Sequence, residues 1–241
     1  GEVSGKTLSQ DEIDLILRNI KDYKNITLIG ITGGEPMLYP ELIEYIINFD
    51  YGRKVLFSIK TNGFWGKDLN KARQFIEKNI TKLNELSFSY DEFHKEFIDL
   101  NNIKKLLKLA IEYKIQTNIV GCFFKDGLQP GDIINELGEY AYITDYKYQP
   151  VINTGAANDF PETRFIKLLN LEKHEAKCIG SLSGELLITP TLDVYPCCSQ
   201  PGFPQLITRK AARHPTRDRV PSASPTVHLH VTVVREFQNI Q

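Results

Sequence analysis

The chain has few cysteines and no long apolar run. Four cysteines in 241 residues, without a secretory signal pattern, predict thiols or metal ligands rather than a disulfide framework. No stretch approaches the roughly 20 apolar residues that a membrane-spanning helix needs. A hydrophobic content of 41% and a charged content of 24% are ordinary for a globular domain. We therefore expect a cytoplasmic protein with no membrane partner and one domain of barrel size, with or without a small extension.

The net charge of −1 hides an asymmetry between two parts of the chain. Residues 1–206 carry 23 Lys and Arg against 28 Asp and Glu, which gives −5, whereas residues 207–241 carry 6 against 2, which gives +4. The tail is an appended segment, a frameshifted reading or a disordered basic arm. Because its only aromatic residue is Phe237, we expect no nucleic-acid partner.

Short β-branched segments alternate with helical patterns along the first 160 residues. Strands are predicted near 26–32, 54–61, 85–90, 116–124 and 146–151. Such alternation predicts a parallel sheet with right-handed helical crossovers. Ser9 and Glu12 have the spacing of a capping box that begins the first helix, and Asn101 or Asn102 could cap a later one. The fold class is thus α/β.

The strand near 26–32 ends at two glycines, an acid and a proline. Gly33 and Gly34 allow a close backbone approach, and Glu35 places a carboxylate where Pro36 stops the strand. A carboxylate beside free strand-end carbonyls suits an ammonium group. The alternative is a glycine-rich turn that binds nothing.

Polar residues follow the later strands in the same way. They are Thr61, Asn62, Ser89, Asp91 and the loop from Pro150 to Ala156. Because βα barrels place active sites at the carboxyl ends of their strands, we expect a ligand site there. Each residue also has a purely structural alternative, such as a turn or a bond to buried backbone.

These motifs resemble those of radical S-adenosylmethionine (SAM) enzymes over most of residues 1–198. The resemblance implies a partial (β/α)6 TIM-like barrel. It implies that Gly33, Gly34, Glu35 and Pro36 hold the amino group of the SAM methionine. It further implies that the ribose and carboxylate side meets Ser89 and Asp91, that Thr61 and Asn62 close the third strand, and that Asn118 faces the cofactor. Ala156 stands where an arginine is frequent.

The chain departs from that family in its iron ligands. The family holds a 4Fe-4S cluster with a CxxxCxxC motif after the first strand, and no such motif occurs here. The chain is therefore interpreted as the carboxyl-side portion of a radical SAM protein, or a truncated derivative, that should not cleave SAM by itself. With the first strand missing, the strand near 26–32 is predicted to be an unpaired edge.

The stretch from Cys178 to Cys197 resembles a SPASM or twitch extension, in which a β-hairpin and cysteines serve an auxiliary iron–sulfur cluster. Cys178, Cys197 and Cys198 are the metal-ligand candidates that this implies, and small buried thiols are the alternative. Leu192 stands where the glycine of the hairpin is usual. The predicted divisions are 1–160 for the barrel, 161–206 for the hairpin extension and 207–241 for the basic tail. His228 and His230 are interpreted as surface histidines.

Three functions are compatible with the sequence. The leading hypothesis is a radical SAM enzyme, or a truncated form of one, that modifies a peptide or protein. The second is a degenerate, non-catalytic barrel that binds a nucleoside or a peptide. The third is an unrelated α/β enzyme that uses Glu35 as an acid or base. The substrate and the oligomeric state stay open.

Overall fold

The computed structural model describes residues 8–153, 155–166, 185–195 and 227–234. They fall into two compact units, which are described separately. The described part of the first unit is 8–60, 81–84, 185–195 and 227–234, and that of the second is 61–80, 85–153 and 155–166. None of the helices within these ranges is long and apolar enough to cross a membrane.

The first unit begins with helix α1 (Gln10–Asp22), whose capping box is confirmed. The Ser9 backbone N–H donates to Glu12 Oε2 at 2.9 Å, and the Glu12 N–H donates to Ser9 Oγ at 3.3 Å. Strand β1 (Ile26–Gly33), helix α2 (Pro40–Asn48) and strand β2 (Leu56–Thr61) follow. Strands β1 and β2 are parallel, as predicted.

The predicted unpaired edge at β1 is wrong for the described chain. Strand β8 (Val227–Val234) lies parallel to β1 from the pair Ile26–Val227 to the pair Gly33–Val234, with irregular register near both ends. Part of the basic tail therefore hydrogen-bonds to the edge that was expected to be open. A disordered arm is likewise incorrect for these eight residues.

A hairpin lies on the other side of β8. Strand β6 (Glu185–Ile188) is parallel to β8 and antiparallel to β7 (Val194–Tyr195), which confirms the predicted hairpin. Leu192, in its turn, has φ of +61°, which is the left-handed conformation that glycine usually provides. The strand order in this unit is β2-β1-β8-β6-β7.

The second unit contains three parallel strands in the order β5-β4-β3. They are β3 (Leu83–Ser89), of which residues 85–89 belong here, β4 (Gln116–Phe123) and β5 (Asp145–Pro150). The helices are α3 (Leu69–Asn79), the single turn α4 (Glu92–Lys95), α5 (Leu100–Glu112) and α6 (Pro130–Leu137). Parallel strands alternating with helices confirm the α/β class.

The cap of α5 differs from the prediction. Asp99, rather than Asn101 or Asn102, precedes this helix, and its carboxylate accepts the Asn101 N–H at 2.9 Å. Asp99 lies two or three residues earlier than the predicted caps, because Leu100 is itself a buried residue of the first turn. The helix then buries the predicted face formed by Ile103, Leu106, Leu107 and Ala110.

Candidate functional site

Glu35 is a buried carboxylate at the carboxyl end of β1. Its residue exposure is 1%, and one carboxylate oxygen accepts the Met37 N–H at 2.9 Å. Gly33 has φ of +143°, a conformation that a side chain would strain. Pro36 begins a 3-10 turn (Pro36–Leu38), which ends the strand where the sequence predicted. The loop thus holds the Glu35 carboxylate at the carboxyl end of β1, which is the position that the sequence predicted.

The amino-terminal edge of the same unit has a cavity of about 260 Å³ between the end of α2 and the start of β2. Arg53 and Lys82 line it. The Arg53 guanidinium, however, donates to backbone carbonyls that include those of Tyr23 and Ile26, and Lys82 Nζ donates to the Ile47 carbonyl. Both cations therefore stabilise the ends of the neighbouring helices and strands. We interpret the cavity as part of this structural arrangement and not as a ligand site.

In the second unit, Thr61 and Asn62 build a tight turn after β2. Thr61 Oγ1 accepts the Gly63 N–H at 3.1 Å and the Trp65 indole N–H at 3.2 Å, and Asn62 Oδ1 accepts the Phe64 N–H at 3.0 Å. Gly63 has φ of +78°, which is the left-handed region. Both polar side chains are buried. Their structural roles are thus visible, and their predicted role toward SAM stays a prediction.

Ser89, Asp91 and Asn118 lie on β3, just after β3 and on β4. Asn118 is 3% exposed and opposes Ser87 of β3, whereas Ser89 ends β3 opposite Val120. These three residues belong to the second unit, whereas Glu35 belongs to the first. The site assignments from the sequence therefore stay predictions.

Asp91 is the most highly connected polar residue of this edge. Its Oδ1 accepts the Phe93 N–H at 3.0 Å and the His94 N–H at 3.3 Å, and it lies 2.6 Å from His94 Nδ1. Its Oδ2 accepts the Cys122 N–H from β4 at 2.9 Å. Both oxygens are therefore engaged by protein donors. Sequence reasoning did not identify His94, although a histidine three residues after a strand-end aspartate was a usable signal.

The charge of Asp91 is stabilised despite its burial. Burial by itself raises the pKa of this carboxyl, but the hydrogen bond and charge of His94, with the N–H groups of Cys122 and Phe93, hold the pKa below its usual range. Asp91 is consequently an anion at neutral pH. Burial also raises the pKa of the neighbouring Tyr148, which stays protonated and donates to the Tyr90 carbonyl at 2.7 Å.

The predicted metal ligands Cys178, Cys197 and Cys198 lie outside the described residues, and so does residue 154 of the loop from Pro150 to Ala156. Cys122 is partly exposed near the end of β4. Gln149 Nε2 lies 3.8 Å from its sulfur. Within the described ranges, no three His, Cys, Asp or Glu residues converge as a metal site would require.

Comparisons with known proteins place these motifs in a family context. No family model matches the chain. The chain is 27% identical over 189 residues to a Bacillus subtilis protein described as "Putative peptide biosynthesis protein YydG". The match covers 77% of this chain and 58% of YydG, so the chain spans little more than half of that relative. This similarity supports the predicted resemblance to the radical SAM superfamily.

Two solved structures of one enzyme are also similar to the chain. They are titled "Native anSMEcpe with bound AdoMet and Kp18Cys peptide" and "Native anSMEcpe with bound AdoMet and Cp18Cys peptide". Each is 16% identical, with TM-scores of 0.45 and 0.44. The matches cover 60% and 59% of this chain and 43% of each enzyme chain.

Proposed function

We propose that this chain is part of a radical SAM enzyme that modifies a peptide or protein. The observation that carries the proposal is the similarity to YydG over 189 residues, because that relative is described as a putative peptide biosynthesis protein. The Gly33 to Pro36 loop supports it, since it presents a buried carboxylate at the end of a parallel strand. In this proposal Glu35 binds the ammonium group of the SAM methionine.

The residues present fit SAM better than they fit the iron–sulfur cluster. A strand-end carboxylate with a positive-φ glycine beside it suits an ammonium ligand. The main 4Fe-4S cluster requires three cysteine ligands in a CxxxCxxC motif, and the 241 residues contain no such motif. This chain by itself therefore supplies SAM-binding groups and no ligand set for that cluster. When bound in a complete enzyme, the cluster would supply the electron that cleaves SAM.

The protein's own hydrogen bonds limit the proposed role of Asp91. The family resemblance implies a direct contact between Asp91 and SAM, whereas both carboxylate oxygens of Asp91 already accept hydrogen bonds from the protein. Oδ1 takes part in three of these bonds and Oδ2 in one, so a ligand would use the remaining acceptor position of Oδ2. In this proposal Ser89 and that position of Asp91 meet the ribose and carboxylate side of SAM, and the Asn118 amide faces the cofactor.

A second candidate is a non-catalytic barrel that binds a nucleoside or peptide, and the missing CxxxCxxC favours it. The two proposals differ in an anaerobic reconstitution with iron and sulfide, followed by calorimetry with SAM. SAM binding, and cluster absorption from the three carboxyl-terminal cysteines, are expected for a radical SAM enzyme. If neither cluster absorption nor SAM binding is observed, the non-catalytic binding barrel becomes the better hypothesis.

A further inference from the structure

Asp91 and His94 are arranged as a proton-accepting pair. The His94 Nδ1 atom lies 2.6 Å from Asp91 Oδ1, which is a short hydrogen bond of the charge-assisted kind. Since Asp91 is ionised and can only accept, the proton of this bond belongs to Nδ1 of the imidazole. In the neutral ring the lone pair then lies on Nε2, the nitrogen that faces away from the carboxylate.

The two side chains differ in their access to solvent. The Asp91 side chain is 5% exposed, whereas the His94 side chain is 34% exposed. Part of the imidazole is therefore open to solvent, whereas the carboxylate is buried. Such an arrangement, with a buried acid that orients a partly exposed histidine, is the one that general-base catalysis uses.

The residues on either side of His94 hold it in place. The Phe93 ring packs edge to face on Phe124 at 5.7 Å, and Lys95 Nζ pairs with Glu136 at 3.0 Å. Asp91 itself is tied to β4 through the Cys122 N–H. The turn that carries His94 is thus attached to β4, to an aromatic cluster and to α6, and the imidazole itself is bonded to Asp91.

We propose that His94 accepts a proton or a hydrogen bond from a hydroxyl or amide N–H of the ligand, and that Asp91 is its positioning residue. In the transfer, the O–H or N–H bond of the ligand breaks, its electron pair stays on the ligand oxygen or nitrogen, and the proton bonds to Nε2. The imidazolium that forms is stabilised by the carboxylate, which stays ionised. This inference rests on the proposed function, because a peptide substrate supplies such donors. It adds a proton acceptor at the carboxyl end of β3 to that function.

The test uses the full chain without cluster or SAM, so its failure is distinguishable from failure of the proposed function. ¹⁵N NMR of the histidine side chains reports the tautomer, and H94Q identifies the His94 signal among the five histidines. Diethyl pyrocarbonate, which needs an imidazole lone pair, reports the accessibility of Nε2 when the modified peptides are mapped by mass spectrometry.

The wild-type chain is expected to show the Nδ1–H tautomer at His94 and carbethoxylation at Nε2. In D91N the amide can donate to Nδ1 and impose the opposite tautomer, so His94 should react about tenfold more slowly. D99N, which changes the exposed cap of α5, is the matched control and should react at the wild-type rate.

An Nε2–H tautomer in the wild type, an unreactive His94, or equal rates in D91N and wild type would overturn the inference. Circular dichroism establishes whether D91N is folded. If it is not, the wild-type tautomer and the wild-type reactivity of His94 decide the question without the variant.

Discussion

The Asp91 carboxylate joins the turn after β3 to β4, because its Oδ2 accepts the Cys122 N–H at 2.9 Å while its Oδ1 binds the turn itself. One side chain therefore fixes both the turn and the neighbouring strand end. Hydrogen bonds to a buried charge stabilise more than neutral ones, and their loss leaves buried donors without partners. Asp91 therefore stabilises the contact between the turn after β3 and the end of β4 in the second unit.

D91N should consequently lower the free energy of unfolding by about 2 kcal/mol at neutral pH. The folded-state pKa of Asp91 lies below its unfolded value of about 3.9, so the contribution of its charge is present above that pH and declines as the pH falls through the folded-state pKa. Urea unfolding of wild type and D91N between pH 7 and pH 3 measures this. The difference between them should shrink in acid, and a difference that grows there would contradict the assignment.

Gly121 lies where no side chain fits. A Cβ atom there would come within 2.8 Å of Tyr148 Cε1, 2.8 Å of the Tyr90 carbonyl oxygen and 3.0 Å of Asp91 Cβ. We expect G121A to destabilise the protein by about 1–3 kcal/mol, because two of these neighbours belong to the strand-end turn. Thermal unfolding measures the effect.

The control for this substitution is G131A. Gly131 lies in the first turn of α6, and nothing lies within 4 Å of a Cβ built there. The alanine should be neutral or stabilise by up to about 1 kcal/mol, since alanine favours the helix. Equal losses in both variants would mean that the close approach at Gly121 is not what constrains the residue.

Much of the fold is predictable from the sequence because it depends on local patterns. The β-branched run 26–32 and the Ser9 to Glu12 spacing each contain their own signal, and the structure has the strand and the capping box where they were predicted. The pairing of β8 with β1 was missed, because it joins segments about 200 residues apart and no local pattern specifies a distant partner.

The candidate site shows the same limit. Polar residues after strands could be recognised one by one, including Glu35 and Asp91. That the Asp91 oxygens are engaged by His94 and Cys122 depends on the geometry of a single helical turn and of a second strand. Tertiary contacts of this kind have no periodicity in the sequence, so they become visible only in the structure.

The paired edge of β1 leads to a prediction about association. Removal of residues 207–241 would expose the N–H and C=O groups of β1 and of β6 that β8 now pairs. Open strand edges pair with other chains, so the truncated protein should form dimers or larger species. Light scattering coupled to size exclusion measures this. T232P, which removes one backbone donor from β8, should shift the profile in the same direction. If the truncated protein and T232P are both monodisperse monomers, the pairing of β8 with β1 is contradicted.

The turn of the β6–β7 hairpin offers a stabilising substitution. Leu192 adopts φ of +61°, which costs a residue with a side chain about 1 kcal/mol relative to glycine. L192G should therefore raise the free energy of unfolding by about 0.5–1 kcal/mol. The matched control is L187G in strand β6, where glycine should destabilise instead. Chemical denaturation compares the wild type, L192G and L187G. A loss of stability in L192G would contradict the left-handed conformation of residue 192 in this turn.

The most direct test of the central proposal compares two ligands by calorimetry. SAM has the methionine ammonium that Glu35 is proposed to bind, and 5′-methylthioadenosine has the same nucleoside without it. We expect the wild type to prefer SAM and E35Q to lose that preference, by roughly tenfold or more for a buried charge-assisted bond. E41Q, which removes an exposed acid from the first turn of α2, the helix that follows this loop, should keep it. An E35Q variant that prefers SAM as strongly as the wild type does would contradict the account.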